Sequence, residues 1–93
     1  MKYTIKRSGR FKKDYKLSKK RGLDITLLKD VIYKLGNGVQ LDKKHKDHAL
    51  KGKWNGFREC HIQPDWILVY LVEDDILTLT LTGMGTHSDL FQE

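Results

Sequence analysis

Three of the four histidines in this sequence, together with one aspartate, are the side chains best suited to acid–base chemistry. An unperturbed imidazole has a pKa of about 6.5, so it can accept or release a proton near neutral pH. Cleavage of RNA uses this property, because a base removes the proton of a ribose 2′-OH and an acid protonates the departing 5′-oxygen. The candidates for these roles are His48, His61, Asp65 and His87.

Hydrophobic periodicity predicts elements in the order β-α-α-β-β-β. Ser8 and Asp24 are suitable N-caps for the two helices, which Gly22 and Gly36 would end. We therefore expect one α+β domain over residues 1–93, with an antiparallel sheet packed against two N-terminal helices and a short C-terminal helical turn. The predicted strands cover residues 3–6, 57–62, 66–72 and 76–82.

The direction of the last three strands predicts that three candidate side chains lie together. His61 ends the first of these strands, Asp65 opens the second, and His87 follows the third. Because consecutive antiparallel strands run in opposite directions, these positions belong to one end of the sheet. Strand direction does not place His48, which lies in the segment 39–56, a loop long enough to suggest a function.

The charge balance favours a polyanionic partner. The 93 residues include 18 Lys and Arg against 12 Asp and Glu, a net charge of +6. Phosphate backbones are common partners of such a surface, although a solvated surface is the simpler alternative. The single Cys60 allows no internal disulfide, and no apolar segment resembles a signal peptide or spans a membrane, so we expect a cytoplasmic protein.

Each candidate also has a purely structural interpretation. His61 could be a half-buried strand residue bonded to a backbone group, His87 could cap the C-terminal turn, and Asp65 could be an ordinary turn residue. Trp66 lies in an apolar strand and is more typical of a core. We expect His45 to be exposed to solvent.

Other sequence signals narrow the chemistry. Lys51, Lys53 and Arg58 are candidates for phosphate contact and charge stabilisation. The spacing of His45 and His48 is only a loose match to a zinc site, and HExxH and CxxC motifs are absent from the sequence. Walker, GxGxxG and GxSxG motifs are absent too, which argues against nucleotide hydrolysis and serine-hydrolase chemistry.

Two segments resemble toxins of the YafQ type, within the RelE/ParE superfamily. Residues 46–70 follow the pattern KDHxLxGxWxGxRxxHxxPDWxLxY, and residues 85–91 read GTHSDLF, similar to a GTHxxLF tail. The resemblance implies a RelE-like fold and the toxin of a type II toxin–antitoxin system, which cleaves mRNA in the ribosomal A site without a metal ion or other cofactor. It implies three partners, the ribosome, mRNA and a cognate antitoxin, whose complex with the toxin could bind operator DNA.

The resemblance implies a set of site residues, which are those at the family's motif positions in this sequence. The implied catalytic set is His48, His61, Asp65 and His87, with His87 favoured as the general acid and His48 or His61 as the base. Asp65 would orient a histidine or act as the base itself. The positions of Trp66 and Phe91 are associated with activity in the family, and we expect both residues to contact the substrate.

One position departs from the family pattern. The family often has an arginine in the strand before the GTH segment, whereas residues 82–85 read TGMG here. We expect Arg58 or a lysine of the long loop to supply the missing positive charge. Seven Lys or Arg residues between positions 10 and 21 make the first helix suitable for contact with ribosomal RNA.

Two alternatives remain at this point. A ParE-like toxin would share the fold and inhibit DNA gyrase without being an enzyme, but that branch lacks the histidine set. A basic RNA-binding module without catalysis would also have this charge.

Overall fold

Two helices pack against one face of a five-stranded sheet in a computed structural model that describes residues 1–84. The predicted C-terminal helical turn lies outside these residues. The strands are β1 (Thr4–Arg7), β2 (His48–Ala49), β3 (Arg58–Gln63), β4 (Trp66–Glu73) and β5 (Ile76–Met84). The helices are α1 (Gly9–Lys20) and α2 (Ile25–Gly36), and single 3₁₀ turns occur at Lys43–His45 and Gly52–Trp54.

Side-chain caps begin both helices, as predicted. Ser8 Oγ accepts a hydrogen bond from the Phe11 backbone N–H at 3.0 Å, and Asp24 Oδ1 accepts one from the Thr26 N–H at 3.0 Å. Such caps satisfy backbone donors that have no partner inside the helix. Gly22 has a φ of 78° and turns the chain between the helices, a conformation that favours glycine.

The strand order in the sheet is β1-β5-β4-β3-β2. The predicted antiparallel arrangement of β3, β4 and β5 is confirmed, but the sheet as a whole is mixed, because β1 pairs in parallel with β5. The sequence pattern gave no partner for β1, and this pairing joins residues about 72 positions apart. β2 was not predicted, since two residues are too few to show a period.

The two faces of the sheet have different cores. Cys60 and Ile62 of β3 pack with the helices and with Trp66, Leu68 and Tyr70 of β4.

A second cluster occupies the face opposite the helices, which we call the distal face. Its buried members are Ile67, Val69 and Leu81, with Leu50, Trp54 and Phe57 packed against them. Alternate residues of a strand point to opposite faces, so Glu59 and His61, which pair across strands with Val69 and Ile67, also belong to the distal face. None of the helices within residues 1–84 is long and apolar enough to cross a membrane.

Ser8 is expected to contribute more to stability than Asp24, although both are caps. The Ser8 hydroxyl also donates to the Thr80 backbone carbonyl of β5, so it joins α1 to the sheet. Ser8→Ala should lower the free energy of unfolding by about 2 kcal/mol, against about 1 kcal/mol for Asp24→Ala. Urea unfolding measures both, and equal losses would show that the Thr80 contact contributes nothing.

Candidate active site

A buried carboxylate lies beside two of the candidate histidines. Glu59 is 0% exposed, and its Oε1 is 3.1 Å from His48 Nε2 and 3.9 Å from His61 Nε2. Pairing of β2 with β3 places His48 directly opposite Glu59, and His61 lies two residues further along β3 on the same face. A buried carboxylate is costly unless it has polar or charged partners, which the histidines supply here.

Both ring nitrogens of His48 face oxygen acceptors. Nδ1 is 2.6 Å from the Lys46 carbonyl oxygen, and Nε2 faces the Glu59 carboxylate. A neutral imidazole has one N–H and one lone pair, so only the protonated imidazolium can donate in both directions. The His48 side chain is 47% exposed, which leaves the ring accessible from outside.

His61 has a different arrangement. Its Nδ1 is 3.0 Å from the Pro64 carbonyl oxygen, an acceptor, so this nitrogen carries the proton. Its Nε2 is 3.9 Å from Glu59, beyond hydrogen-bond distance. In the neutral ring this Nε2 has a lone pair that can accept a proton, and the side chain is 21% exposed.

The structure brings His61 and Asp65 to the same end of the sheet, as strand direction predicts. Asp65 is exposed in the turn between β3 and β4, next to the Pro64 carbonyl that holds His61. His87 and Phe91 lie outside the described residues, so the convergence of His87 with His61 and the substrate contact of Phe91 stay predictions. The described part of β5 ends at this same end of the sheet, where Met84 pairs with Trp66.

Arg58 does not join the histidines. It pairs across strands with Tyr70 on the helix-covered face, and its Nε is 3.3 Å from Asp47 Oδ1. The Tyr70 hydroxyl donates to the same oxygen at 2.6 Å. The prediction that Arg58 supplies the missing charge beside the histidines is therefore wrong, because the alternation of side chains along β3 directs it to the other face.

Trp66 is a core residue. Its side chain is 0% exposed and packs in the cluster between the sheet and the helices. A direct contact between this indole and RNA is therefore not compatible with its position, and the expectation of a substrate contact is wrong. Trp66 can affect activity only through packing at the start of β4.

The loop lysines that we predict to contact phosphate lie beside the distal face. Lys51 and Lys53 are exposed, in a loop that packs Trp54 and Phe57 against that face. The Trp54 and Phe57 rings meet edge to face, with centroids 5.3 Å apart. Gly83, at the position where the family often has an arginine, pairs with Ile67 and so belongs to the same face.

The sequence analysis did not identify Glu59 as a site residue, and its expectation that His45 is exposed is wrong. Alternation along β3 groups Glu59 with His61, but nothing in the sequence shows that β2 covers Glu59. His45 is 6% exposed, not solvated, and its Nδ1 is 2.6 Å from the His61 carbonyl oxygen. Within residues 1–84, no group of three or more His, Cys, Asp or Glu side chains is arranged to hold a metal ion.

The Tyr70 hydroxyl and the Cys60 thiol, both on the helix-covered face, have raised pKa values. Burial raises the pKa of the Tyr70 hydroxyl above its ordinary value, and the hydrogen bond to Asp47 raises it further. Burial likewise raises the pKa of the Cys60 thiol, with a further contribution from the negative charges of Asp47 and Glu59. Cys60 is therefore an unreactive core thiol.

The chain is similar to proteins of known family. A family model described as the bacterial toxin YafQ of type II toxin–antitoxin systems matches residues 3–92. The mRNA interferase toxin YafQ of Escherichia coli strain K12 is 43% identical over 88 residues, which covers 94% of each chain.

Solved structures confirm the predicted α+β fold. A chain of the Escherichia coli DinJ–YafQ toxin–antitoxin complex has a TM-score of 0.85 at 40% identity, covering 98% of this chain and 99% of that one. A metal-bound toxin from Helicobacter pylori has a TM-score of 0.87 at 43% identity, covering 96% of this chain and 99% of that one.

The raised pKa values make stability depend on pH in the alkaline range. Cys60 and Tyr70 ionise at about 8.5 and about 10 in the unfolded chain but higher in the folded protein. Their contribution is complete below those values and is lost as pH rises above them, by up to about 1.4 kcal/mol per pH unit for each group. Tyr70→Phe should flatten the decline above about pH 10. Unfolding in urea at each pH measures this, and an unchanged slope would contradict it.

Proposed function

Because the chain belongs to the YafQ family of bacterial toxins of type II toxin–antitoxin systems, we propose that it is an endoribonuclease that cleaves mRNA on the ribosome. The observation that carries this proposal is the pair of accessible histidines, His48 and His61, beside the buried Glu59 carboxylate. One ring is arranged to carry a positive charge and the other to accept a proton, which are two requirements of RNA cleavage.

His61 is the general base in this proposal. Its Nδ1–H is bonded to the Pro64 carbonyl, which leaves the Nε2 lone pair to take the proton of the ribose 2′-OH. The 2′-oxygen then attacks the adjacent phosphorus, and the P–O5′ bond breaks to leave a 2′,3′-cyclic phosphate and a 5′-hydroxyl. A positioned base or acid of this kind contributes typically ~10²–10⁴-fold to the rate.

His48 takes the role of the missing family arginine. As an imidazolium held by Lys46 and Glu59, it places a positive charge on the face to which Gly83 belongs, and this charge stabilises the phosphorane. His87 remains the proposed general acid that protonates the 5′-oxygen. Asp65 is a candidate second base or a ligand of the ribose, since the Pro64 carbonyl already orients His61.

The exposed cations of α1 fit a ribosomal partner. Arg10, Lys12, Lys13, Lys16, Lys19, Lys20 and Arg21 are all exposed. Contacts between such side chains and phosphates are strongly salt-dependent and carry little sequence information. They suit a protein that positions itself on ribosomal RNA while its distal face receives the message. A ribosomal partner makes the cytoplasm the proposed location.

A cognate antitoxin is the second proposed protein partner, as in the DinJ–YafQ complex of E. coli. A groove of about 650 Å³ beside α1 and α2 has an apolar floor that includes Phe11, Ile32 and Tyr33. Among residues 1–84, five cations and no carboxylate line the groove: Arg7, Lys12, Lys16, Lys19 and Lys29. An amphipathic segment with acidic edges would fit it and would cover cations that the ribosome needs.

Loss of either histidine should abolish most of the cleavage. His61→Ala and His48→Ala should each slow single-turnover cleavage of ribosome-bound mRNA by about 10²-fold or more. Lys34→Ala, which alters an exposed ion pair with Asp30 on α2, is the matched control and should cleave normally. Full activity of the His48→Ala, His61→Ala double variant would contradict the proposal.

The same assay separates the proposal from its alternatives. Protein that has been stripped with EDTA and exchanged into the Mg²⁺ buffer that intact ribosomes need should cleave normally, whereas a mechanism that depends on a bound transition metal, considered because the H. pylori relative is metal-bound, would lose activity. A ParE-like toxin would leave mRNA intact and inhibit gyrase. A binding module without catalysis would be insensitive to both histidine substitutions.

Charge reversal on α1 should affect ribosome binding and leave the chemistry alone. Replacing Lys12, Lys13 and Lys16 with Glu should raise KM for ribosomes at least about tenfold and reduce the salt dependence of binding, with kcat unchanged at saturation. Lys34→Glu on α2 is charge-matched to any one of these reversals, so the single variant Lys12→Glu is compared with it. Equal binding by the wild type and the triple variant would show that α1 does not contact the ribosome.

A further inference from the structure

The buried imidazole of His45 lies directly behind the proposed general base. Its Nδ1 is 2.6 Å from the His61 carbonyl oxygen, and the residue is 6% exposed, in the 3₁₀ turn Lys43–His45. A carbonyl oxygen only accepts hydrogen bonds, so Nδ1 of His45 carries the proton.

The His61 backbone needs such a donor because strand pairing is irregular on both of its sides. The outer neighbour of β3 is β2, which within the described part of the chain pairs only with Glu59 and Arg58. On the inner side, the register between β3 and β4 shifts between His61 and Gln63. A ring N–H at this edge takes the place of the backbone donor that a longer β2 would supply.

The segment that carries His45 is itself fixed in place. Asp47 accepts hydrogen bonds from Arg58 and Tyr70 on the helix-covered face. Lys46 has a φ of 48°, a left-handed conformation that turns the chain between the 3₁₀ turn and β2. His45 thus contacts the backbone of β3, while His48, three residues later, contacts Glu59 on the distal face.

We propose that His45 is a positioning residue for His61: its Nδ1–H holds the His61 backbone so that the imidazole of His61 keeps its contact with Pro64 and presents Nε2 to the substrate. The proposal rests on the assignment of His61 as the base. A misplacement of about 1 Å at a catalytic group can cost roughly 10²-fold in rate, so a loose backbone at this point would be costly.

Three substitutions at position 45 separate positioning from packing. Asn carries its amide nitrogen one bond from Cγ, as His carries Nδ1, so His45→Asn keeps a donor in place. His45→Gln moves the donor one bond outward, and His45→Leu fills the site without a donor. Each variant is assayed for single-turnover cleavage of ribosome-bound mRNA, normalised to the fraction folded in urea titrations.

We expect His45→Asn to retain a kcat close to the wild-type value. His45→Leu and His45→Gln should lower kcat by about 10- to 100-fold with KM unchanged, because the contact holds a catalytic group and not the substrate. Equal kcat values for folded Asn and Leu variants would overturn the proposal. If His45→Leu does not fold, the comparison of Asn with Gln decides in the same way.

NMR spectroscopy tests the positioning role of His45 without an activity measurement. Long-range ¹H–¹⁵N spectra of histidine side chains report which nitrogen of the His61 ring carries the proton. The Nδ1–H form of His61 should persist in His45→Asn and give way to mixed tautomers in His45→Gln. Unchanged His61 signals in His45→Gln would overturn the positioning role, whereas an inactive wild-type protein with these spectral changes would overturn only the nuclease assignment.

Discussion

The buried carboxylate of Glu59 is the constraint on which the arrangement of the site depends. An ionised carboxylate that is 0% exposed is tolerated only with polar or charged partners close to it. His48 from β2 lies 3.1 Å from one carboxylate oxygen, and His61 from β3 itself lies 3.9 Å from the same oxygen, so two separate parts of the chain come close together here. The buried carboxylate thus has two histidines near it, His48 as the proposed cation and His61 as the proposed base.

The segment from His45 to His48 connects the two faces of the sheet. Asp47 is tied to Arg58 and Tyr70 on the helix-covered face, and His48 reaches Glu59 on the distal face. Packing against the helices therefore fixes the backbone from which the distal site is built. This explains why Arg58, although it lies in the strand of the proposed base, serves the site indirectly by holding Asp47.

The helices, four of the five strands within residues 1–84 and one end of the site could be predicted from the sequence. Caps at Ser8 and Asp24 and the periodicity of the apolar residues are local signals, and strand direction was sufficient to bring His61 and Asp65 together. The long-range features could not be predicted. The parallel pairing of β1, the two-residue β2 and the burial of His45 depend on which segments meet in space, and no local pattern encodes that.

A double-mutant cycle between Glu59 and His48 tests the central claim most directly. Single-turnover cleavage of ribosome-bound mRNA is compared for the wild type, Glu59→Gln, His48→Gln and the double variant. If the carboxylate acts by holding His48 as a cation, the double variant should be no slower than the slower single variant, since groups that act as a unit are strongly non-additive. Losses that multiply, or a fully active Glu59→Gln variant, would contradict the account.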